Sequence, residues 1–351
     1  MLPKTIHVPQ GESVMTDDIL RSLRADCPIP PRLSPYADRV QRWLDDRLPG
    51  VGLPLDSPAL DRLSRARFAR YAGRLYPEAT EPDLRAIAAL FTWFFLVDDA
   101  CDRPDRLRPD QILALREGTL RLLRDGPRGR HPGLTGPLRR LLVRAWREPR
   151  RRMPARWRER FTDAVGNHLH GAWLEAVEKA AGRPPDVARY VELRRATSAA
   201  YVSYPLIEFV TGRPLPDAVY HHPRLREIGD LGNDLLSWYN DIASLERDRA
   251  TSGGHNLVLA LAAERGVGVE AALGPAAERW RAAMRRFVEL RAGVPSFGPA
   301  LDEAVADHLD GVAAAVRGTI DWTLESARYG GGDGGKEGPL LNASGRAGAP
   351  S

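Results

Sequence analysis

The stretch FFLVDDACD, from Phe94 to Asp102, places three carboxylates at the end of one of the most apolar runs in the chain. Acidic side chains are rarely buried unless they are paired or hold a cation. Asp98 and Asp102 lie four residues apart. On a helix they share one face, about one turn of ~5.4 Å apart, while Asp99 points ~100° away. Two carboxylates stacked on one face repel, and a hard divalent cation relieves that repulsion. Mg²⁺ takes one or two carboxylates, several waters and the phosphate oxygens of a substrate. A solvated helix end would also accommodate the acids, although negative charge sits at the unfavourable end of the helix dipole there.

A second set follows in NDIASLERD, Asn240 to Asp248. Asn240, Ser244 and Asp248 keep an i, i+4, i+8 spacing and so lie nearly on one helical face, drifting ~40° per step. An amide oxygen, a hydroxyl and a carboxylate form an oxygen-only chelate of low charge, which suits Mg²⁺ and not zinc. Arg247, directly before Asp248, is placed to reach a phosphate. A competing frame, NDLLSWYND, gives Asn233, Ser237 and Asp241 the same spacing. The two frames are almost two helical turns apart and share a face. The later one is preferred because a basic residue precedes its acid, where the earlier one has Asn240.

Both sets need helices to hold them, and the chain between its ends reads as little else. Apolar residues recur at helical spacing over 58–76, 81–102, 108–125, 137–148, 154–181, 186–212, 223–250, 254–265, 268–293 and 298–328. Glu81, Pro82 and Asp83 are good first-turn residues, and the helix they open is apolar on most faces, as a central helix would be. In it Phe91 and Phe95 are one turn apart, and Phe95 lies a turn before the aspartates. These two rings can wall a pocket whose π faces stabilise positive charge. Pro205 predicts a bend in the 186–212 helix. No alternating strand pattern or internal repeat is evident. The chain is therefore expected to be all-α, a bundle around a central apolar cavity. An irregular arm is expected over 1–35, one catalytic domain over 36–329, and a disordered glycine-rich tail over 330–351.

Composition narrows the function. Hydrophobic residues make up 43% of the 351, enough for a sizeable core, yet no run is long enough to span a bilayer and none resembles a signal peptide. Two cysteines, Cys27 and Cys101, make no disulfide framework, which suits a cytoplasmic protein. Cys101 reads as a small buried hydrophobe. The net charge of +5 raises nucleic acid as a ligand, with Arg147–Arg160 as the densest basic block. No nucleic-acid motif accompanies that block, which reads as a solvated loop and helix start. A polyanionic small molecule fits the charge equally. His168 and His170 are two apart, face differently on a helix and make a poor metal pair.

DDxxD on one helix and NDxxSxxxD well over a hundred residues later together resemble the class I terpene synthases. Asp248 stands where that family usually has glutamate, and Arg247 where it usually has lysine. GGHNLV, Gly253 to Val258, is similar to the stretch that follows the second motif in bacterial members. ARYG resembles the family's Arg-Tyr pair and implies that Arg328 and Tyr329 bind diphosphate on closure. LRRATSAA, from Leu193, resembles the segment carrying a diphosphate-sensing arginine and then a helix break. This implies Arg194 as the sensor with Arg195 as runner-up, and Thr197 and Ser198 at the break.

The resemblance implies a class I terpenoid synthase-like bundle of one domain, cytoplasmic, monomeric or homodimeric, binding neither nucleic acid nor membrane. It implies three Mg²⁺ ions, with Mn²⁺ as a substitute, held by Asp98, Asp102, Asn240, Ser244 and Asp248. Asp99 would orient Arg194 or Arg328, and Arg194, Arg247, Arg328 and Tyr329 would bind the substrate. The expected reaction is ionisation of farnesyl diphosphate and cyclisation of the carbocation to a sesquiterpene. Small residues Ser198, Ala199, Ala200 and Ser203 leave a diterpene synthase on geranylgeranyl diphosphate as an alternative. A chain-elongating prenyltransferase is a lesser one, since it would carry a second aspartate-rich motif. A basic helical nucleic-acid module is the last, and it leaves both metal motifs unexplained.

Overall fold

The computed structural model describes residues 10–52, 57–101, 107–182, 184–251 and 253–326, so the expected tail lies outside the described residues. These residues form helices, joined by turns, with no strand among them. The first part of the chain gives α1 (Gln10–Asp26), α2 (Ala37–Arg47), α3 (Ser57–Ala66), α4 (Phe68–Leu75) and α5 (Glu81–Cys101). Then come α6 (Pro109–Asp125), α7 (Gly136–Arg152), α8 (Ala155–Ala180), α9 (Val187–Thr197), α10 (Ala200–Thr211) and the short α11 (Asp217–Tyr220). The last are α12 (Pro223–Ala243), α13 (Leu245–Thr251), α14 (Leu257–Arg265), α15 (Val269–Ala292) and α16 (Pro299–Glu325). None of the described helices is long and apolar enough to cross a membrane.

The helices that carry chemistry close into a ring. α4 packs on α5, α5 on α8, α8 on α9, α9 on α12, α12 on α16, and α16 on α4. α10 touches α8, α12 and α16. Outside the ring α7 backs α5, α6 backs α8, and α15 backs α12. The central position expected of α5 follows from its composition: from Leu84 to Cys101 most of its side chains are buried.

Three expected elements differ in detail. The arm expected to be irregular is helical over Gln10–Asp26. Its polar composition hides the pattern, and tertiary contacts supply its stability: Leu20 and Leu23 are buried, and Tyr239 Oη donates to Leu20 O at 3.2 Å. The continuous helix expected over 58–76 is broken at Arg67 (φ 52°), whereas the break that the resemblance implied at Thr197 and Ser198 is present, between α9 and α10, with Ala199 at φ 60°. Pro205 sits inside α10 and makes no break. The basic block is also only partly solvated. Arg147, Arg150 and Arg151 are exposed, whereas Arg160 is buried and donates to Glu208 Oε2 at 2.6 Å and Leu215 O at 3.0 Å.

Beside that ion pair lies His308, buried against the rings of Tyr204 and Tyr220. Burial, and secondarily the Arg160 charge, push its pKa down to about 4. The unfolded chain therefore binds more protons at His308 between about pH 4 and 6.5, and stability falls as pH drops through that window. Up to about 3 kcal/mol is at stake. His308→Gln is expected to flatten this loss in denaturant unfolding measured from pH 7 to pH 4. Taking the difference from the parent separates this from the contribution of Glu208, whose carboxyl burial raises to about 7. Equal slopes in parent and variant would contradict the assignment.

Candidate active site

The two acidic motifs lie on opposite members of the ring, α5 and the α12–α13 junction. Asp98 and Asp99 are half-buried at the end of α5, and Cys101 beside them is buried, as expected of a small hydrophobe. Asp102 lies outside the described residues, as do Arg328 and Tyr329. A chain of contacts links the end of α5 to that of α12 through α8 and α9. Phe94, one turn before Asp98, meets the His168 ring edge-on at 5.7 Å. His168 Nδ1 lies 3.4 Å from Ala196 O. Two residues earlier Arg194 donates from Nη2 to Asn240 Oδ1 at 3.0 Å. His168 is thus buried in the wall between the motifs, while His170 stacks on Trp173.

The helix expected to run through Asn240, Ser244 and Asp248 is interrupted at Ser244 (φ −95°, ψ 4°). The register survives, because Ser244 N donates to Asn240 O at 2.8 Å and Asp248 N to Ser244 O at 2.9 Å. The three side chains therefore stay on one side. Ser244 Oγ donates to Asp248 Oδ2 at 2.6 Å, and Arg247 Nε lies 3.1 Å from Asp248 Oδ1. Asn240 and Asp248 are half-buried and Ser244 is buried.

The competing frame is used otherwise. Asn233, Ser237 and Asp241 are 0%, 1% and 2% exposed. Asp241 accepts from Arg194 Nε at 3.0 Å, from Leu257 N at 3.2 Å and from the Tyr190 hydroxyl. Burial pushes its carboxyl well above the usual range, and the nearby Asp248 charge adds to the rise. Arg195, the runner-up sensor, is held by Asp234 through two hydrogen bonds of 2.8 and 2.6 Å. Arg194 is the arginine that reaches the later frame.

Asn256 is a contributor that spacing did not single out. Its Oδ1 caps α14 by accepting from Val258 N at 2.9 Å. Its Nδ2 donates to Asp241 O at 2.8 Å and to Asp248 Oδ2 at 3.0 Å. An asparagine just before the apolar run LVLALA was the available signal. On the α5 side, Phe95 is half-buried and stacks on Phe68 at 4.2 Å, while buried Phe91 lies 5.3 Å from the ring of Tyr71. Tyr71 stacks in turn on Trp322 of α16 at 4.3 Å. The arrangement therefore joins an oxygen-rich, arginine-bearing edge to an aromatic wall, which suits a molecule anionic at one end and apolar at the other.

Residues 89–286 match the model of terpene synthase family 2, C-terminal metal binding. The chain is 30% identical over 313 residues to 10-epi-cubebol synthase of Sorangium cellulosum, covering 86% of this chain and 96% of that protein. It is also 30% identical to (+)-T-muurolol synthase ((2E,6E)-farnesyl diphosphate cyclizing) of Roseiflexus castenholzii, over 85% of this chain and 90% of that one. Linalool/nerolidol synthase from Streptomyces clavuligerus superposes with a TM-score of 0.75 at 26% identity, over 84% of this chain and 98% of the other.

The hydrogen bonds to Asp241 make a stability prediction. Asp241→Asn keeps one acceptor oxygen: its NH₂ must face either the half-buried Arg194 Nε, or both the Tyr190 hydroxyl and Leu257 N, which share Oδ2. The expected loss is about 1–3 kcal/mol, read by thermal or denaturant unfolding. An unchanged midpoint would show that the network around Asp241 adds nothing to the fold.

Proposed function

Because the chain belongs to terpene synthase family 2 and is a terpene synthase, we propose that it is a Mg²⁺-dependent sesquiterpene cyclase that ionises farnesyl diphosphate and releases diphosphate. The observation that carries this reading is that Ser244 Oγ meets Asp248 Oδ2 and Arg194 meets Asn240 Oδ1, in a helical register that keeps Asn240, Ser244 and Asp248 on one side. The donors fit the ion. The Ser244 and Asp248 oxygens are already 2.6 Å apart, close to the ~3 Å between adjacent oxygens in an octahedral Mg²⁺ shell. Among the described residues no cluster of three His, Cys, Asp or Glu side chains is poised for metal. The set proposed here needs none, since it contributes one carboxylate, one amide and one hydroxyl.

Asp98 and Asp102 from α5, with Asn240, Ser244 and Asp248 opposite, would hold the metal. Bound Mg²⁺ supplies charge neutralisation to the leaving diphosphate. Arg194 and Arg247 bind the diphosphate oxygens and stabilise negative charge as it builds up. By the family resemblance Arg328 and Tyr329 join them, and Asp99 orients the arginines. Phe91 and Phe95, with Tyr71, face the hydrocarbon chain, and their π faces stabilise the allylic cation. An apolar wall also excludes water, which would trap the cation as an alcohol. Farnesyl diphosphate is favoured because the relative from Roseiflexus castenholzii is named for cyclising it.

The test is incubation with Mg²⁺ and geranyl, farnesyl or geranylgeranyl diphosphate separately, with products read by gas chromatography. Farnesyl diphosphate is expected to give cyclic hydrocarbon or alcohol. Asp98→Ala and Asn240→Ala, with folding checked by circular dichroism, are each expected to lose about 100-fold or more in turnover. Product from geranylgeranyl diphosphate alone would move the substrate to the diterpene class. A longer linear diphosphate made with added isopentenyl diphosphate would overturn cyclisation. Parent-like turnover in either variant would overturn the site.

A further inference from the structure

The earlier NDLLSWYND frame repeats the metal-motif spacing but is buried, and its side chains have another task. α9 and α10 are separated by a break at Ser198–Ala199, where Ala199, not a glycine, holds the left-handed conformation (φ 60°, ψ 6°). Such a conformation is disfavoured for an L-residue and persists only when its surroundings over-determine it. Asn233 provides that surrounding. In an uninterrupted helix Arg195 O would accept the Ala199 amide. At the break it accepts Nδ2 of Asn233 at 2.9 Å. Oδ1 of Asn233 accepts from Ser198 Oγ at 2.7 Å and from Ser237 Oγ at 3.0 Å. Ser198 Oγ in turn accepts from Ala200 N at 3.2 Å, the first amide of α10. One fully buried amide therefore satisfies the end of one helix and braces the start of the next.

What the break separates is the reacting geometry. On its α9 side stands Arg194, whose guanidinium lies on Asn240. On its α10 side Ser203 O accepts from Tyr76 Oη at 2.8 Å, and the Tyr76 ring meets Phe91 edge-on. Asp234 and Asp241, in the same helix as Asn233, hold Arg195 and Arg194. Residues almost two turns apart on α12 thus grip consecutive residues of α9.

We propose that Asn233 is a positioning residue for ionisation: by fixing the break at Ser198–Ala199 it sets where Arg194 lies relative to the aromatic wall. The proposal rests on the cyclase reading above. It makes the first copy of the motif a scaffold for the second. Asn233 touches neither substrate nor ion and acts through Ser198 and the Arg195 carbonyl.

The test measures kcat, KM and product mixture with Mg²⁺ and farnesyl diphosphate, alongside thermal unfolding, for the parent, Asn233→Ala and Ser237→Ala. Asn233→Ala is expected to lower kcat about 100-fold, with a smaller change in KM and a shift towards acyclic products. Ser237→Ala removes one of the three hydrogen bonds of Asn233 and is expected to lower kcat about threefold to tenfold in the same direction. A folded Asn233→Ala with parent-like kcat and products, even with a lower melting temperature, would show a purely structural role and overturn the proposal. If Asn233→Ala does not fold, Ser237→Ala decides, and parent-like kcat and products from it overturn the proposal. A parent inactive on geranyl, farnesyl and geranylgeranyl diphosphate alike would overturn the cyclase reading, and this inference with it. An active parent with parent-like variants overturns the positioning role alone.

Discussion

The buried carboxyl of Asp241 is the constraint around which the polar edge is organised. Taking a carboxyl group out of water costs several kcal/mol unless donors replace the lost solvation. Here the donors come from separate elements: Tyr190 and Arg194 from α9, and the first amide of α14. Satisfying one group therefore fixes three segments at once. Asn240, the residue before it on α12, points to a different face, and Arg194 spans both by donating Nε to Asp241 and Nη2 to Asn240. The place of Arg194 beside the proposed chelate follows from a folding requirement.

The remaining geometry is a gradient from apolar to polar along the helices that carry the two motifs. α5 is apolar up to Val97 and acidic from Asp98. The aromatic contacts of Phe91 and Phe95 reach α4 and, through Tyr71, α16. The α12–α13 junction repeats the pattern from the other side of the ring, with Leu235, Leu236 and Tyr239 in the core and the oxygen donors at the end. A prenyl diphosphate has the same polarity along its length. In the proposed reaction, polar donors at one level and rings at the next would orient it without a protein nucleophile.

Much of this was legible in the sequence, because local rules govern it. Helical periodicity gave the all-α class and most helix spans, and the basic residue before Asp248 favoured the later frame, whose Asn240 meets Arg194, although the same arginine also holds Asp241 of the earlier one. What the sequence did not disclose is decided by distant contacts. α1 is polar enough to read as irregular, and its helix depends on burial of Leu20 and Leu23. Ala199 gives no local sign of a left-handed residue, since the stabilising group, Asn233, lies on another helix. Asn256, legible only as part of GGHNLV, caps α14 and also donates to Asp248. The earlier frame has the right residue types at the right spacing, and only its burial shows that its oxygens are already used.

The central claim is that Asn240, Ser244 and Asp248 form one Mg²⁺-dependent diphosphate site. Calorimetric titration of inorganic diphosphate into the intact chain tests it without requiring turnover, so chemistry and cyclisation do not enter. Binding is expected with Mg²⁺ present, to vanish with a chelator, and to weaken about 10-fold or more in Ser244→Ala, which removes one oxygen from the set. Equal affinity with and without Mg²⁺, or unchanged affinity in Ser244→Ala, would contradict the account.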